Sequence, residues 1–221
     1  MPIFQLTDEL IFPHPALAEN GILAVGGDLS PQRLILAYQN GIFPWYSEEE
    51  PIIWHAPDPR FVLFPEKFKK SKSLRLLINK NIYSCSINKN FEEVIKNCRH
   101  IKRKGEDGTW ITDDMEKAYI NLHKLGFAVS VEVYNKKNEL AGGLYGIKLG
   151  KIFFGESMFS KESNTSKIAL AYLIENTDLK LIDAQVHTNH LENLGAEHIA
   201  LNDFLDILNK NIQHTTKLPV N

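Results

Sequence analysis

Residues 142–185 read GGLYGIKLGKIFFGESMFSKESNTSKIALAYLIENTDLKLIDAQ, and their pattern decides the fold. Two apolar runs with strand character, 151–159 and 179–185, enclose a segment in which Ile168, Leu170, Leu173 and Ile174 recur at helical spacing. Each run carries polar groups near its end: Glu156 in FFGESMF, and Asp183 with Gln185 in LIDAQ. An ionised carboxylate among Phe, Met and Ile is costly without a partner, so these positions are candidates for chemistry. Residues two apart on a strand face one way. Asp183 and Gln185 are therefore predicted to project together if the strand persists to Gln185, and Glu156 to share a side with Phe154 and Met158. Helix capping or turn fixing is the plainer reading of any one such group. Three of them beside a helix N-terminus make a candidate site.

Upstream, FAVSVEVY (127–134) and ELAGGLYGI (139–147) alternate with period two and join KIFFGESMF through the turns NKKN and KLG, which predicts an antiparallel meander. A helix capped by Thr112 precedes it, running to about Lys124 before Gly126, with Asp113 and Asp114 at the positive end of its dipole. Phe91, Val94, Ile95 and Cys98 predict another, SLRLLIN (73–79) has helical character, and FVLFP (61–65) is extended. HIKRKGEDG (100–108) reads as an exposed loop. Downstream, Ser163 or Asn164 is the expected cap of the helix after the meander. HTNHLENLG (187–195) is a short helix closed by Gly195, and Asn202 is the expected cap of a last helix through Leu208. The class is α+β, with a mixed, mainly antiparallel sheet.

Residues 1–60 predict a small, turn-rich N-terminal unit, and 61–221 a larger one. Ser30 as N-cap, Pro31 at the first helical position and Gly41 just past the end predict a helix over 31–40, with Leu34, Ile35 and Tyr38 inward. Phe43, Trp45, Tyr46 and Trp54 then crowd between prolines. They read as a small core or a seam, or more sharply as a stacking platform for a base.

The chain has 221 residues, 43% of them hydrophobic, and a formal charge of −2, which argues against indiscriminate nucleic-acid binding. Positive charge concentrates in 66–104, in one cluster holding Lys67, Lys69, Lys70, Lys72 and Arg75 and another holding Lys96, Arg99, Lys102, Arg103 and Lys104. Such runs are ordinarily solvated; two of them flanking a helix also suit a phosphate backbone. MPIFQLTDEL lacks a signal-peptide pattern and no run is long enough to span a bilayer, so a cytoplasmic setting is expected. Cys85 and Cys98 read as packed, reduced thiols. His187, His190 and His198 lack a zinc spacing, no phosphate-cradling glycine loop or nucleophile elbow appears, and Ser157 has no assigned base. Neither metal nor cofactor is expected.

GILAVGGDLSPQRLILAYQNGIFPWYS (21–47), WHAPDPR (54–60), GTWIT (108–112), GGLYG, FFGESMFS and LIDAQ, in this order, resemble the leucyl/phenylalanyl-tRNA–protein transferase family over about Gly21 to Leu208. The resemblance implies a GNAT-like acyltransferase unit under the small N-terminal one. It also implies transfer of leucine, phenylalanine and methionine from aminoacyl-tRNA to proteins with N-terminal Arg or Lys, which creates a bacterial N-degron. By position it puts Asp183, Gln185 and Glu156 at the reaction centre. Leu144, Phe153, Met158, Leu170, Leu173 and Ile182 would line the side-chain pocket, and Trp45, Trp110 and Tyr119 surround the 3′-terminal adenosine. Lys67, Lys69, Lys70, Arg75, Arg99 and Arg103 are the candidates for holding the tRNA backbone. A monomer is expected, no heptad seam being visible. Ala184, Leu144 and Leu173 stand where relatives often carry Cys, Met and Phe, and none of these differences removes a polar group. An acyl-CoA-dependent acetyltransferase would need a pyrophosphate loop that is absent; a non-catalytic tRNA or N-degron adaptor would keep the same surfaces without turnover.

Overall fold

The computed structural model describes residues 3–101 and 110–212. In chain order the strands are β1 (Phe4–Leu6), β2 (Ile22–Gly26), β3 (Phe43–Pro44), β4 (Ile53–His55), β5 (Arg60–Leu63), β6 (Ser84–Ile87), β7 (Ala128–Tyr134), β8 (Leu140–Leu149), β9 (Ile152–Ser160), β10 (Leu181–Gln185) and β11 (Glu197–Ile199). The helices are α1 (Pro31–Gln39), α2 (Lys72–Asn79), α3 (Phe91–His100), α4 (Asp113–Lys124), α5 (Thr165–Glu175), α6 (Asn189–Glu192) and α7 (Leu201–Asn211).

The meander forms as its alternation predicts and becomes the middle of a seven-stranded sheet ordered β11-β5-β10-β9-β8-β7-β6. Within it β9 and β10 are parallel and the other neighbours antiparallel, so the mixed α+β class holds. A second sheet, β1-β2-β4-β3, occupies the N-terminal region. Strand alternation sends one set of side chains to each face. Tyr145, Phe154 and Leu181 pack with α1, α3, α4 and α7, while Leu144, Phe153 and Ile182 pack with α2 and α5. Leu34, Tyr38 and Trp54 of the N-terminal region share the first of these cores with Tyr119 and Phe204. A boundary at residue 60 consequently falls at the first residue of β5, inside the large sheet.

Helix ends show where local reading holds. The Ser30 hydroxyl accepts from the Arg33 N–H and Thr112 from Met115, and Gly41, with φ +72°, takes the chain out of α1. Two expected caps are corrected. Asn164 adopts a left-handed conformation and its side chain caps nothing; the Ser160 hydroxyl accepts the Ser166 N–H instead. Asn202 lies inside α7, whose first N–H, from Leu201, goes to Asp58 Oδ1 at 3.0 Å, and the helix runs on to Asn211. Among the described residues no helix is long and apolar enough to cross a membrane.

Candidate active site

Pairing between β9 and β10 ends at Phe154 and Asp183. Beyond that point both strands carry irregularities, and a cavity of about 970 Å³ opens there. One wall is apolar, formed by Leu144, Phe153, Met158, Leu170 and Ile182. The other is aromatic, formed by Phe43, Trp45, Trp110 and Tyr145. Glu156 and Gln185 lie on its lining, and Glu48 and His190 also border it.

Glu156 enters through a β-bulge. Tyr145 pairs with Ser157 and Gly146 with Gly155, so Glu156 is the extra residue between them. Glu156 therefore points to the Tyr38 and Tyr119 side, together with Phe154, while Met158 packs on the opposite face with Phe153. The expectation that Glu156 and Met158 share a side is corrected, because the bulge shifts the phase of the strand by one residue. Gly146 is required opposite the bulge: a Cβ there would lie 2.1 Å from the Phe154 carbonyl oxygen and 2.6 Å from the Phe153 ring.

Glu156 Oε1 accepts from the Tyr38 hydroxyl at 2.8 Å and from Gln185 Nε2 at 2.9 Å; Oε2 accepts from the Tyr119 hydroxyl at 2.9 Å. The two phenol oxygens also contact each other, closing a triangle. Both phenols donate to Glu156, and on the third side, between the two hydroxyls, either oxygen could be the donor. Burial raises the Glu156 carboxyl to about 7, against the lowering effect of the bonds from Tyr38, Tyr119 and Gln185, and the Asp183 charge raises it further. Burial, followed by the Glu156 charge, lifts both phenols well above their ordinary range and keeps them donors.

Asp183 and Gln185 are adjacent but do not project together. Gln185 pairs with Phe61 where regular spacing would place Ala184, and it takes φ +63°. That turn aims its side chain at Glu156, whereas Asp183 is fully buried and forms a bidentate pair with Arg60. Its oxygens lie 2.8 and 2.7 Å from Arg60 nitrogens, and Oδ1 also accepts the Gln185 N–H at 2.9 Å.

Of the expected pocket residues, Leu173 is fully buried within the α5 core and is not on the cavity lining. Trp45 (42% exposed) and the half-buried Trp110 flank the opening. Tyr119 has no exposed surface to offer a base; it lies beneath Glu156 as a hydrogen-bond donor. The helices beside the described parts of the two basic clusters pack on opposite faces of the large sheet. Leu74 of α2 joins the core on one face of the sheet, and Val94 of α3 the core on the other. Lys67 pairs with Glu197, Lys70 with Glu175, and Arg99 with Asp113 and Glu116, while Arg75 Nε donates to the Lys70 carbonyl. Lys69 donates its backbone N–H to Leu194 O, and Arg103 lies outside the described residues. The described residues hold no cluster of His, Cys, Asp and Glu fit for a metal ion.

Sequence reasoning missed Arg60 and took Tyr38 as core only. WHAPDPR, in which an arginine opens an apolar strand, was the available signal for the first; nothing local separates Tyr38 from an ordinary core tyrosine.

The model of the leucyl/phenylalanyl-tRNA protein transferase family matches residues 62–209, and that of its N-terminal domain matches 27–58. A Syntrophobacter fumaroxidans protein named leucyl/phenylalanyl-tRNA–protein transferase is 50% identical over 216 residues, covering 96% of this chain and 92% of its own. Proteins of the same name from Flavobacterium johnsoniae (53% over 210 residues; 93% and 99%) and Maridesulfovibrio salexigens (47% over 218; 97% and 91%) are similar to the same extent.

Proposed function

The chain belongs to the leucyl/phenylalanyl-tRNA–protein transferase family, and from that premise we propose that its cavity receives the aminoacyl end of leucyl- or phenylalanyl-tRNA, and methionyl-tRNA as well. The chain is an aminoacyltransferase. Its acceptors are proteins with N-terminal Arg or Lys, which the transfer marks for N-degron proteolysis. It works in the cytoplasm as a monomer, with a small N-terminal unit (1–60) on a GNAT-like catalytic unit (61–221). The mixed sheet and the parallel β9–β10 pair that ends at the cavity support that layout.

The observation that carries the reading is an apolar pocket whose rim bears Glu156 and Gln185. An aminoacyl ester is already activated, so the protein's task is to hold two substrates and manage a proton. Juxtaposition alone supplies on the order of 7 kcal/mol or more. Leu144, Phe153, Met158, Leu170 and Ile182 take the apolar side chain; Met158, unbranched and adaptable, suits both a branched and a planar guest. Trp45 and Trp110 border the terminal adenosine. The acceptor's α-amine, with a reference value of about 8, must lose a proton before it attacks. Glu156, raised to about 7, is the carboxyl bonded to Gln185 and takes that proton, and Gln185 orients the amine. Attack forms the C–N bond, the ester C–O bond breaks, and the tRNA 3′ oxygen leaves with a proton. Lys67, Lys69, Lys70 and Arg75 on one face and Arg99 on the other meet the tRNA backbone, without reading sequence.

Incubation with leucyl-tRNA and an Arg-initiated peptide tests this. Leucylated peptide is expected without added coenzyme A or ATP. A requirement for coenzyme A, or binding of both substrates without product, refutes it.

A further inference from the structure

Arg60 opens β5 with no exposed surface. Its guanidinium lies between the rings of Phe43 and Phe204, 4.7 and 4.8 Å from their centroids, and grips both oxygens of Asp183. Phe43 lines the cavity, and Phe204 belongs to α7. The pair thus ties the N-terminal sheet, the last helix and β10 together directly behind the reaction centre. Resting on the transferase reading above, we propose that Arg60 is a positioning residue for the transfer: by gripping Asp183 it fixes the Gln185 backbone, and Asp183 takes no proton from the attacking amine.

Three observations carry this. Asp183 is sealed from the cavity, and its oxygens are engaged by the guanidinium and by the Gln185 N–H. Asp183 is absent from the cavity lining, on which Gln185 lies. Second, Gln185 sits at φ +63°, a left-handed conformation that is costly for a side-chain-bearing residue. The bond from its N–H to Asp183 Oδ1 offsets that cost, and in this conformation Nε2 lies 2.9 Å from Glu156 Oε1. Third, the planar fork of arginine matches a carboxylate at two points and sets its rotation; a lysine point charge does not. The chain of influence runs from Arg60 to Asp183, to the Gln185 backbone, to the Gln185 amide, and so to Glu156, which takes the amine's proton.

The test separates this from a pair that only holds the fold. In a paired Arg60→Met, Asp183→Asn variant the asparagine Oδ1 still accepts the Gln185 N–H, and methionine fills the slot between the two rings. Single-turnover leucyl transfer to the Arg-initiated peptide is followed between about pH 6 and 9, around the amine's own titration. The paired variant, which has lost the fork that fixes Gln185, is expected to transfer about tenfold more slowly while keeping the parent pH profile. Disappearance of a titrating limb in folded protein returns the proton to Asp183, and an undiminished rate removes the positioning role; either result overturns the proposal. Arg60→Lys, which keeps the charge and loses the fork, is expected to lower kcat about tenfold at unchanged KM for leucyl-tRNA. No effect, or an effect on KM alone, also overturns it. Should the paired variant fail to fold, Arg60→Lys decides alone. Absence of product from the unmodified protein would sink the transferase reading instead, so the two failures are distinguishable.

Discussion

Replacing Glu156 with glutamine should make the protein more resistant to unfolding above neutrality and change it little in acid. The folded carboxyl titrates at about 7 against an ordinary value of 4.5, burial being the main cause. Below pH 4.5 the carboxyl is protonated in both states, and its contribution is fully present. Between 4.5 and 7 the unfolded chain gives up the proton while the folded one keeps it, so stability declines as pH rises. Above 7 both are ionised and the loss is complete. At about 1.4 kcal/mol per pH unit the total is about 3 kcal/mol. Glutamine has no such transition, and its amide offers both an acceptor and a donor to the Tyr38 and Tyr119 hydroxyls. Urea unfolding of both proteins at about pH 4 and pH 8 gives two stability gaps, whose difference is expected to be about 3 kcal/mol in favour of the variant at high pH. Titrations elsewhere are common to both proteins and cancel. A gap that stays constant to within about 1 kcal/mol would refute the buried-acid argument.

Trp45→Ala should raise KM for leucyl-tRNA about tenfold, since a stacked base contributes about 1–3 kcal/mol, while unfolding shifts by only about 1 kcal/mol for a half-exposed side chain. An unchanged KM in single-turnover transfer would place the adenosine elsewhere. Gly146→Ala should cost about 3 kcal/mol, because the new methyl meets the Phe154 carbonyl and the Phe153 ring, and urea unfolding reads it directly. Asp58→Ala should destabilise by about 1 kcal/mol through the lost cap of α7, whereas Asn202→Ala should stay within about 0.5 kcal/mol. Comparable losses in the two variants would contradict the corrected capping.

The meander, α1 and α4 were legible because their signals are local: period-two alternation, a serine or threonine cap, a glycine at the exit. The shortest strands were not. β3, β4, β6 and β11 have two to four residues each, too few for a period to show, and the partners of β6 and β11 lie far along the chain. The same holds for the cap of α7, supplied across a sequence separation of 143 residues. Within the site, Glu156 and Gln185 stood out as polar groups in apolar strands. Their facing did not, since alternation assumes an unbroken ladder and both strands are interrupted where the chemistry sits. Buried arginines are the other blind spot. Arg33, held by the Thr7 and Glu9 carbonyls, and Arg60 read like any surface cation until the tertiary partners are known.

The surplus position in β9 has a further implication for anyone aligning such chains. Strike out residue 156 alone, and Gly155 and Ser157 would still meet Gly146 and Tyr145, with Met158 still opposite Leu144. The remaining strand would be a regular, uninterrupted ribbon, and nothing in its hydrophobic signature would betray the missing acid. Loss of the acid by deletion would therefore show only as a one-residue gap in an otherwise unchanged strand.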